Sequence, residues 1–259
     1  MTRRHLTFPC EGASLVGTLD NATGTAGLLI VSGGNEVRSG AFAGQARLAA
    51  SLASRGYPVF RFDRRGVGDS SGTNAGFHGS RSDIEAAVET FRRECSHVSR
   101  LVAFGNCDAA SALMLWQGCG AHALVLANPW TFDEGQAETT PSTALKARYR
   151  QKLGNPRELA RLLTGKVSLR GVARDLGKAR KASGLTRLGA EMAERMASFR
   201  GDTRILLAGR DRTAQAFRSH YPLAGETVLL REGADHAFSE PADRDWLEQQ
   251  IVGLLECQS

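Results

Sequence analysis

Gly105-Asn106-Cys107-Asp108-Ala109 joins a short apolar run, Leu101-Val102-Ala103-Phe104, to a strong helix former, Ala110 to Trp116. A nucleophile at the centre of such a corner sits on a tight, strained turn. Its neighbours two positions away must be small to let strand and helix approach, and Gly105 and Ala109 meet that need. A cysteine at a helix N-terminus also faces the positive end of the helix dipole, which favours thiolate, the nucleophilic form. Cys95 and Cys119 instead close helices, and Cys10 and Cys257 lie near the termini, so neither pair has this context. Cys107 is the candidate nucleophile.

A thiol nucleophile needs a base, and the base needs an acid to orient it. Leu207-Ala208-Gly209-Arg210-Asp211 places an aspartate just past an apolar strand, and Leu230-Arg231-Glu232-Gly233-Ala234-Asp235-His236 places a histidine past the next one. Asp235 and Glu232 are rival acids, but they share the loop of His236, which makes Asp211 the better partner. His5, His78, His97, His122 and His220 fall in an edge strand, loops or helix ends, where a structural or solvated role is expected. The reaction also needs N–H donors for a tetrahedral oxyanion. The backbone of Asp108 offers one, and the glycine-containing loop Ser32-Gly33-Gly34-Asn35 the other, with Asn35 preferred and Gly34 the alternative.

The elements that must position these residues alternate. His5 to Thr18 reads as an edge hairpin turning near Glu11-Gly12, Gly27 to Val31 as a buried strand, and Ala41 to Arg55 as a helix with Gly56 at its C-cap. Tyr57 to Phe62 is a strand and Ser82 to Cys95 an amphipathic helix, followed by the Cys107 corner and the strand Ala123 to Ala127. From Thr131 to Arg200 only helical patterns occur, including the start signal Asn155-Pro156-Arg157-Glu158. Strands return at Arg204 to Ala208 and Glu226 to Leu230, and a last helix runs from about Ala242 to Glu256. This pattern predicts an α/β fold with a mostly parallel central sheet, helices on both faces, and loops at the strands' carboxyl ends building the site. Residues 1–130 and 201–259 form the expected core, and 131–200 an inserted helical cap.

Composition narrows the functional classes. The 259 residues carry a net charge of +6, with 42% hydrophobic and 23% charged residues, as in a folded globular domain. From 144 to 200 there are 15 Lys and Arg against 4 Asp and Glu, so one segment holds all the positive excess. That basic cap offers a field for a phosphate or carboxylate handle, such as coenzyme A or an acyl carrier. Nucleic acid is not an expected partner, since the remainder is acidic and carries no motif. No run approaches the ~18 apolar residues of a membrane helix. The start of the chain is broken at Glu11 and does not read as a signal peptide, and five scattered cysteines fit a reducing cytoplasm. Neither a metal nor a redox cofactor is implied.

The order Cys107, Asp211, His236, the corner around Cys107 and the loop Phe62-Asp63-Arg64-Arg65-Gly66-Val67-Gly68-Asp69-Ser70 resemble the α/β-hydrolase superfamily along nearly the whole chain. More narrowly, Gly33-Gly34-Asn35-Glu36-Val37-Arg38-Ser39-Gly40, the Asp63 to Ser70 loop and the basic stretch Leu145 to Lys166 resemble the exosortase A system-associated hydrolases of bacterial exopolysaccharide loci. The resemblance implies an α/β-hydrolase fold and hydrolysis, in a role accessory to surface-polymer and protein sorting. Ala109 replaces the usual elbow glycine, and Cys107 the usual serine, as in the dienelactone-hydrolase branch. A cysteine points to esters or thioesters rather than plain amides. The alternatives are an acyltransferase using the same acyl-cysteine, or a scaffold that kept the fold without the chemistry.

Overall fold

The computed structural model describes residues 2–133, 184–223 and 227–257. Its strands are β1 (Thr2–Cys10), β2 (Ala13–Asn21), β3 (Ala26–Val31), β4 (Val59–Phe62), β5 (Arg100–Asn106), β6 (Ala123–Ala127), β7 (Asp202–Ala208) and β8 (Thr227–Arg231). The helices are α1 (Gly44–Ser54), α2 (Arg81–Glu94), α3 (Asp108–Leu115), α4 (Arg187–Met196), α5 (Arg212–His220) and α6 (Pro241–Leu255). The strands form one sheet in the order β1-β2-β4-β3-β5-β6-β7-β8. β1 and β2 run antiparallel as the predicted edge hairpin, β2 pairs antiparallel with β4, and the strands β3 to β8 are parallel with one another.

The central strands read as unbroken apolar runs because both faces are covered. Leu29 and Val31 of β3, Leu101 and Ala103 of β5, and Ile205 and Leu207 of β7 join one core with α2, α3, α4 and α5. Their alternates Leu28, Ile30, Val102, Phe104, Leu206 and Ala208 join a second core with α1 and α6. The period of two along each strand divides one sequence run between two cores.

Two local readings differ in detail. The helix expected from Ala41 begins with a single 3-10 turn, Ala41–Ala43, and becomes α-helical only at Gly44, because Phe42 and Ala43 take left-handed dihedrals. α5 was not expected. Its signals are Asp211 at the N-cap and Ala214, Ala216 and Phe217 on a buried face, within a short and otherwise polar stretch. Of the span 131–200, residues 134–183, including the Asn155-Pro156 start signal, lie outside the described residues. Its described helix, α4, buries Leu188, Met192 and Met196 in the core beside α3. Asp133 accepts from the Leu188 N–H at 2.9 Å, so the two flanks of the undescribed segment are tied together.

Candidate active site

Three strand ends converge around Cys107. β5 delivers the cysteine itself, at φ 60° and ψ −127°, between the strand and the first turn of α3. A non-glycine residue there is strained, and strain of this kind gathers at functional sites. The surroundings hold it in place: the Cys107 N–H donates to the Ala127 carbonyl at 3.0 Å, and its carbonyl accepts from the N–H groups of Ala110 and Trp130 at 3.1 and 3.3 Å. The size argument for Gly105 is met, since a Cβ there would stand 2.7 Å from the Ala109 carbonyl carbon and 2.8 Å from the Ala110 nitrogen. Ala109 is fully buried. The Cys107 side chain is half-buried, whereas Cys10 and Cys95 are buried and Cys257 is exposed.

Asp211 and His236, 25 residues apart in sequence, meet at 3.0 Å from Nδ1 to Oδ2. Asp211 is the N-cap of α5, its Oδ2 also accepting the Ala214 N–H at 3.1 Å, so the helix that the sequence hid is the one that holds the carboxylate. Hydrogen bonds to Asp211 and then to Cys107 raise the His236 imidazole to about 10 against the opposing effect of burial. His236 therefore pairs with the Asp211 carboxylate on one side and senses the Cys107 side chain on the other.

The rival acid Asp235 is occupied on its own loop. Its Oδ1 accepts from the N–H groups of Ala237 and Ser239 at 3.1 and 2.9 Å, and its Oδ2 from the Ser239 hydroxyl. The remaining histidines make local bonds or contacts. His5 Nδ1 meets Thr18 Oγ1 at 3.0 Å, His97 Nε2 the Ala22 carbonyl at 3.0 Å, His122 Nδ1 the Leu101 N–H at 2.9 Å and His220 Nδ1 Thr131 Oγ1 at 3.1 Å, while the His78 ring lies tilted against Phe77. Among the described residues, no three His, Cys, Asp or Glu side chains gather in a metal-ligating group.

The loop after β3 closes over the Cys107 turn. A Cβ on Gly33 would stand 2.6 Å from the Asp108 carboxylate and 2.8 Å from the Asn106 carbonyl, so only glycine permits the approach. The Gly34 N–H is taken by Asp108 Oδ1 at 2.6 Å, which removes it from the available donors and leaves Asn35 as the next along. The Asn35 side chain accepts from Asn74 Nδ2 at 2.8 Å.

Two asparagines that sequence reasoning missed bind these parts together. Asn128, fully buried and left-handed at φ 44°, donates to Asn106 Oδ1 at 3.0 Å and to the His236 carbonyl at 3.2 Å, and accepts from the Ala208 N–H at 2.8 Å. Asn106 Nδ2 also donates to the His236 carbonyl, at 3.0 Å. The only signal for Asn128 was its place at the end of an apolar strand, before Pro129.

Comparison with known proteins gives the family and the fold. A family model described as "Alpha/beta hydrolase family" matches residues 28–249. No curated protein matches the sequence. An esterase of Pyrococcus furiosus superposes with a TM-score of 0.63 at 14% identity, covering 98% of this chain and 90% of the other. An α/β serine hydrolase without lid from Xanthomonas campestris gives 0.61 at 14% identity, covering 100% and 98%. An α/β serine hydrolase homologue from Coxiella burnetii gives 0.59 at 14% identity, covering 98% and 97%. At such identities the likeness is one of fold, and the family match adds the class: this chain is a hydrolase belonging to the alpha/beta hydrolase family.

Proposed function

We propose that this hydrolase cleaves a carboxylic ester or thioester through an acyl-cysteine intermediate. The observation that carries the reading is the 3.0 Å pairing of His236 Nδ1 with Asp211 beside Cys107, which sits on a strained corner at a helix N-terminus. The imidazolium beside the sulfur stabilises the negative charge needed for attack. The sulfur adds to the substrate carbonyl, the π pair moves to oxygen, and the N–H groups of Asn35 and Asp108 hold the oxyanion. Collapse expels the alcohol or thiol, which leaves with the proton from His236. In the acyl-enzyme the sulfur no longer helps to hold a proton on the imidazole, and His236 can take one from water. That water attacks the thioester, and the second collapse releases the acid and restores the Cys107–His236 pair. Asp211 keeps Nδ1 protonated and the ring oriented throughout.

The proposed organisation keeps 1–130 and 201–259 as the core, with 131–200 as a cap whose basic residues receive the anionic handle of coenzyme A or an acyl carrier. The proposed setting is the cytoplasm, accessory to an exosortase system, as the resemblance of residues 33–40 and 63–70 implies. Among the described residues no helix is long and apolar enough to cross a membrane.

A pre-steady-state burst with p-nitrophenyl and thioester acyl substrates tests the reaction, comparing wild type with Cys107→Ala and Cys107→Ser under intact-mass detection. A stoichiometric burst with the acyl mass on Cys107, absent in the alanine variant, is the expected result. Faster turnover with added alcohols or amines would reassign the enzyme as an acyltransferase. No adduct across a broad acyl panel would overturn covalent catalysis at Cys107 and favour a scaffold.

A further inference from the structure

Gly34 is held through both of its flanking peptide groups. Its N–H donates to Asp108 Oδ1 at 2.6 Å, and its carbonyl accepts from Arg64 Nη2 at 2.6 Å. Arg64 and Asp108 also face each other, with Nη2 3.6 Å from Oδ2. The three residues come from the ends of β3, β4 and β5, which are adjacent in the sheet, so the cluster spans three loops at the Cys107 corner. Asp108 sits in the first turn of α3, where the helix dipole favours a carboxylate.

A trans peptide is planar, and its N–H points opposite to its C=O. Drawing the Gly34 carbonyl toward Arg64 therefore sets the direction of the Asn35 N–H, which belongs to the same peptide plane. The guanidinium also polarises that amide, because hydrogen bonds in a chain strengthen one another, and an amide with a cation on its oxygen is a better donor at nitrogen. Asp108 fixes the preceding N–H and so removes the remaining freedom of the glycine, whose φ of 53° imposes no side-chain restraint of its own.

Stability alone accounts poorly for the arrangement. Arg64 is buried to 2% exposure, and its Nη1 is buried without a hydrogen-bond partner among the described residues. A buried donor left unpaired is costly, and a buried ion pair is weak evidence for stability.

We infer that Arg64 and the Asp108 carboxylate are positioning residues that pre-orient the Asn35 N–H for the oxyanion, a role that rests on Cys107 being the acylated nucleophile. Neither side chain touches the reacting carbonyl. They act through the Gly34–Asn35 peptide, so their effect falls on steps that develop an oxyanion. Direct alkylation of the sulfur, which develops none, is insensitive to them.

The test compares two rates on the full-length protein with Asp108→Ala, Asp108→Asn, Arg64→Met and Arg64→Lys. One is acylation of Cys107 by a p-nitrophenyl ester, and the other is alkylation of Cys107 by iodoacetamide. Acylation is expected to slow 10- to 100-fold in Asp108→Ala and Arg64→Met while alkylation stays within three-fold of wild type. Asp108→Asn keeps an acceptor for the Gly34 N–H and is expected to recover at least ten-fold of the Asp108→Ala loss. Arg64→Lys, which retains a cation, stands in if Arg64→Met does not fold, and is expected to fall between wild type and Asp108→Ala. Acylation unchanged in the variants, or reduced only as much as alkylation, would overturn the inference while Cys107 keeps its role. So would an Asp108→Asn enzyme as slow as Asp108→Ala. A wild-type protein that forms no adduct at Cys107 would overturn the nucleophile reading, and the inference with it.

Discussion

Oδ2 of Asp211 accepts from Nδ1 of His236 at 3.0 Å while the same oxygen caps α5 through the Ala214 N–H at 3.1 Å. One atom thus fixes both the direction of the imidazole and the start of the helix that carries the carboxylate. The bond to Asp211, followed by that to Cys107, raises His236 to about 10, well above its ordinary 6.5. The imidazolium then persists through neutral pH, and kcat/KM, which follows ionisations of the free enzyme, is expected to hold into the alkaline range and fall as pH rises through about 10. Asp211→Asn removes the larger cause, so its alkaline limb moves to lower pH and kcat drops about 10²- to 10⁴-fold, the range of positioned acid–base catalysis. A pH–rate profile of both proteins measures this. An Asp211→Asn limb coinciding with that of wild type would contradict the assignment.

The same shift makes stability depend on pH. A histidine raised in the folded state binds its proton more tightly than in the unfolded chain, so the folded state gains stability in full below about 6.5 and loses it as pH rises through about 10. The stability advantage of wild type over Asp211→Asn is therefore expected to shrink from pH 6 to pH 10.5. Urea melts at the two values provide the comparison, and an advantage that grows with pH would contradict the sign.

Asn128 joins the ends of β5, β6 and β7 to the His236 loop through three hydrogen bonds. At about 0.5–1.5 kcal/mol each, their loss in Asn128→Ala costs about 2–4 kcal/mol, including the left-handed backbone that asparagine tolerates better than alanine. Turnover falls with it, because the His236 carbonyl loses one of its two asparagine donors. Urea denaturation reads the first effect and steady-state kinetics the second, and a variant as stable as wild type would show that the network contributes little.

Gly105→Ala puts a methyl within 3 Å of the backbone of Ala109 and Ala110, where no side chain can give way. Strand and helix must separate, at about 1–3 kcal/mol for overpacking. Burst amplitude is expected to drop as the Cys107 corner opens. A variant with a full burst and unchanged thermal stability would rule out the steric account.

Thiol reactivity should follow surroundings. Burial, followed by the hydrogen bond to Asp83, lifts Cys10 to about 11; burial lifts Cys119 to about 12 and Cys95 in the same direction. At pH 7.5 iodoacetamide is expected to label Cys107 at least ten-fold faster than these three, with exposed Cys257 replaced by serine to clear the background. Peptide mass mapping of a time course gives the order, and earlier labelling of Cys10 or Cys119 would contradict it.

Much of this protein was legible along the chain. Apolar runs of four to six residues, separated by helical periodicities, specify the strands β3, β5, β6 and β7 and the helices α1, α2, α3 and α6, because a sheet covered on both faces leaves no alternating pattern to confuse with an edge. The corner around Cys107 was visible because its strand, its small flanking residues and its helix are contiguous in sequence. So was the placement of Asp211 and His236 past later strands. What only the tertiary structure decided lies between segments distant in sequence. That Asp211 rather than Asp235 meets the imidazole depends on the register of β7 beside β8, and on Asp235 spending its oxygens within its own turn. The roles of Asn106 and Asn128, and the grip of Arg64 and Asp108 on the Gly34 peptide, exist only where neighbouring strand ends come within hydrogen-bond distance. A hydrogen bond between residues 30 or 108 apart leaves no periodicity in the sequence; it is fixed by strand order and the close approach that Gly33 and Gly105 allow.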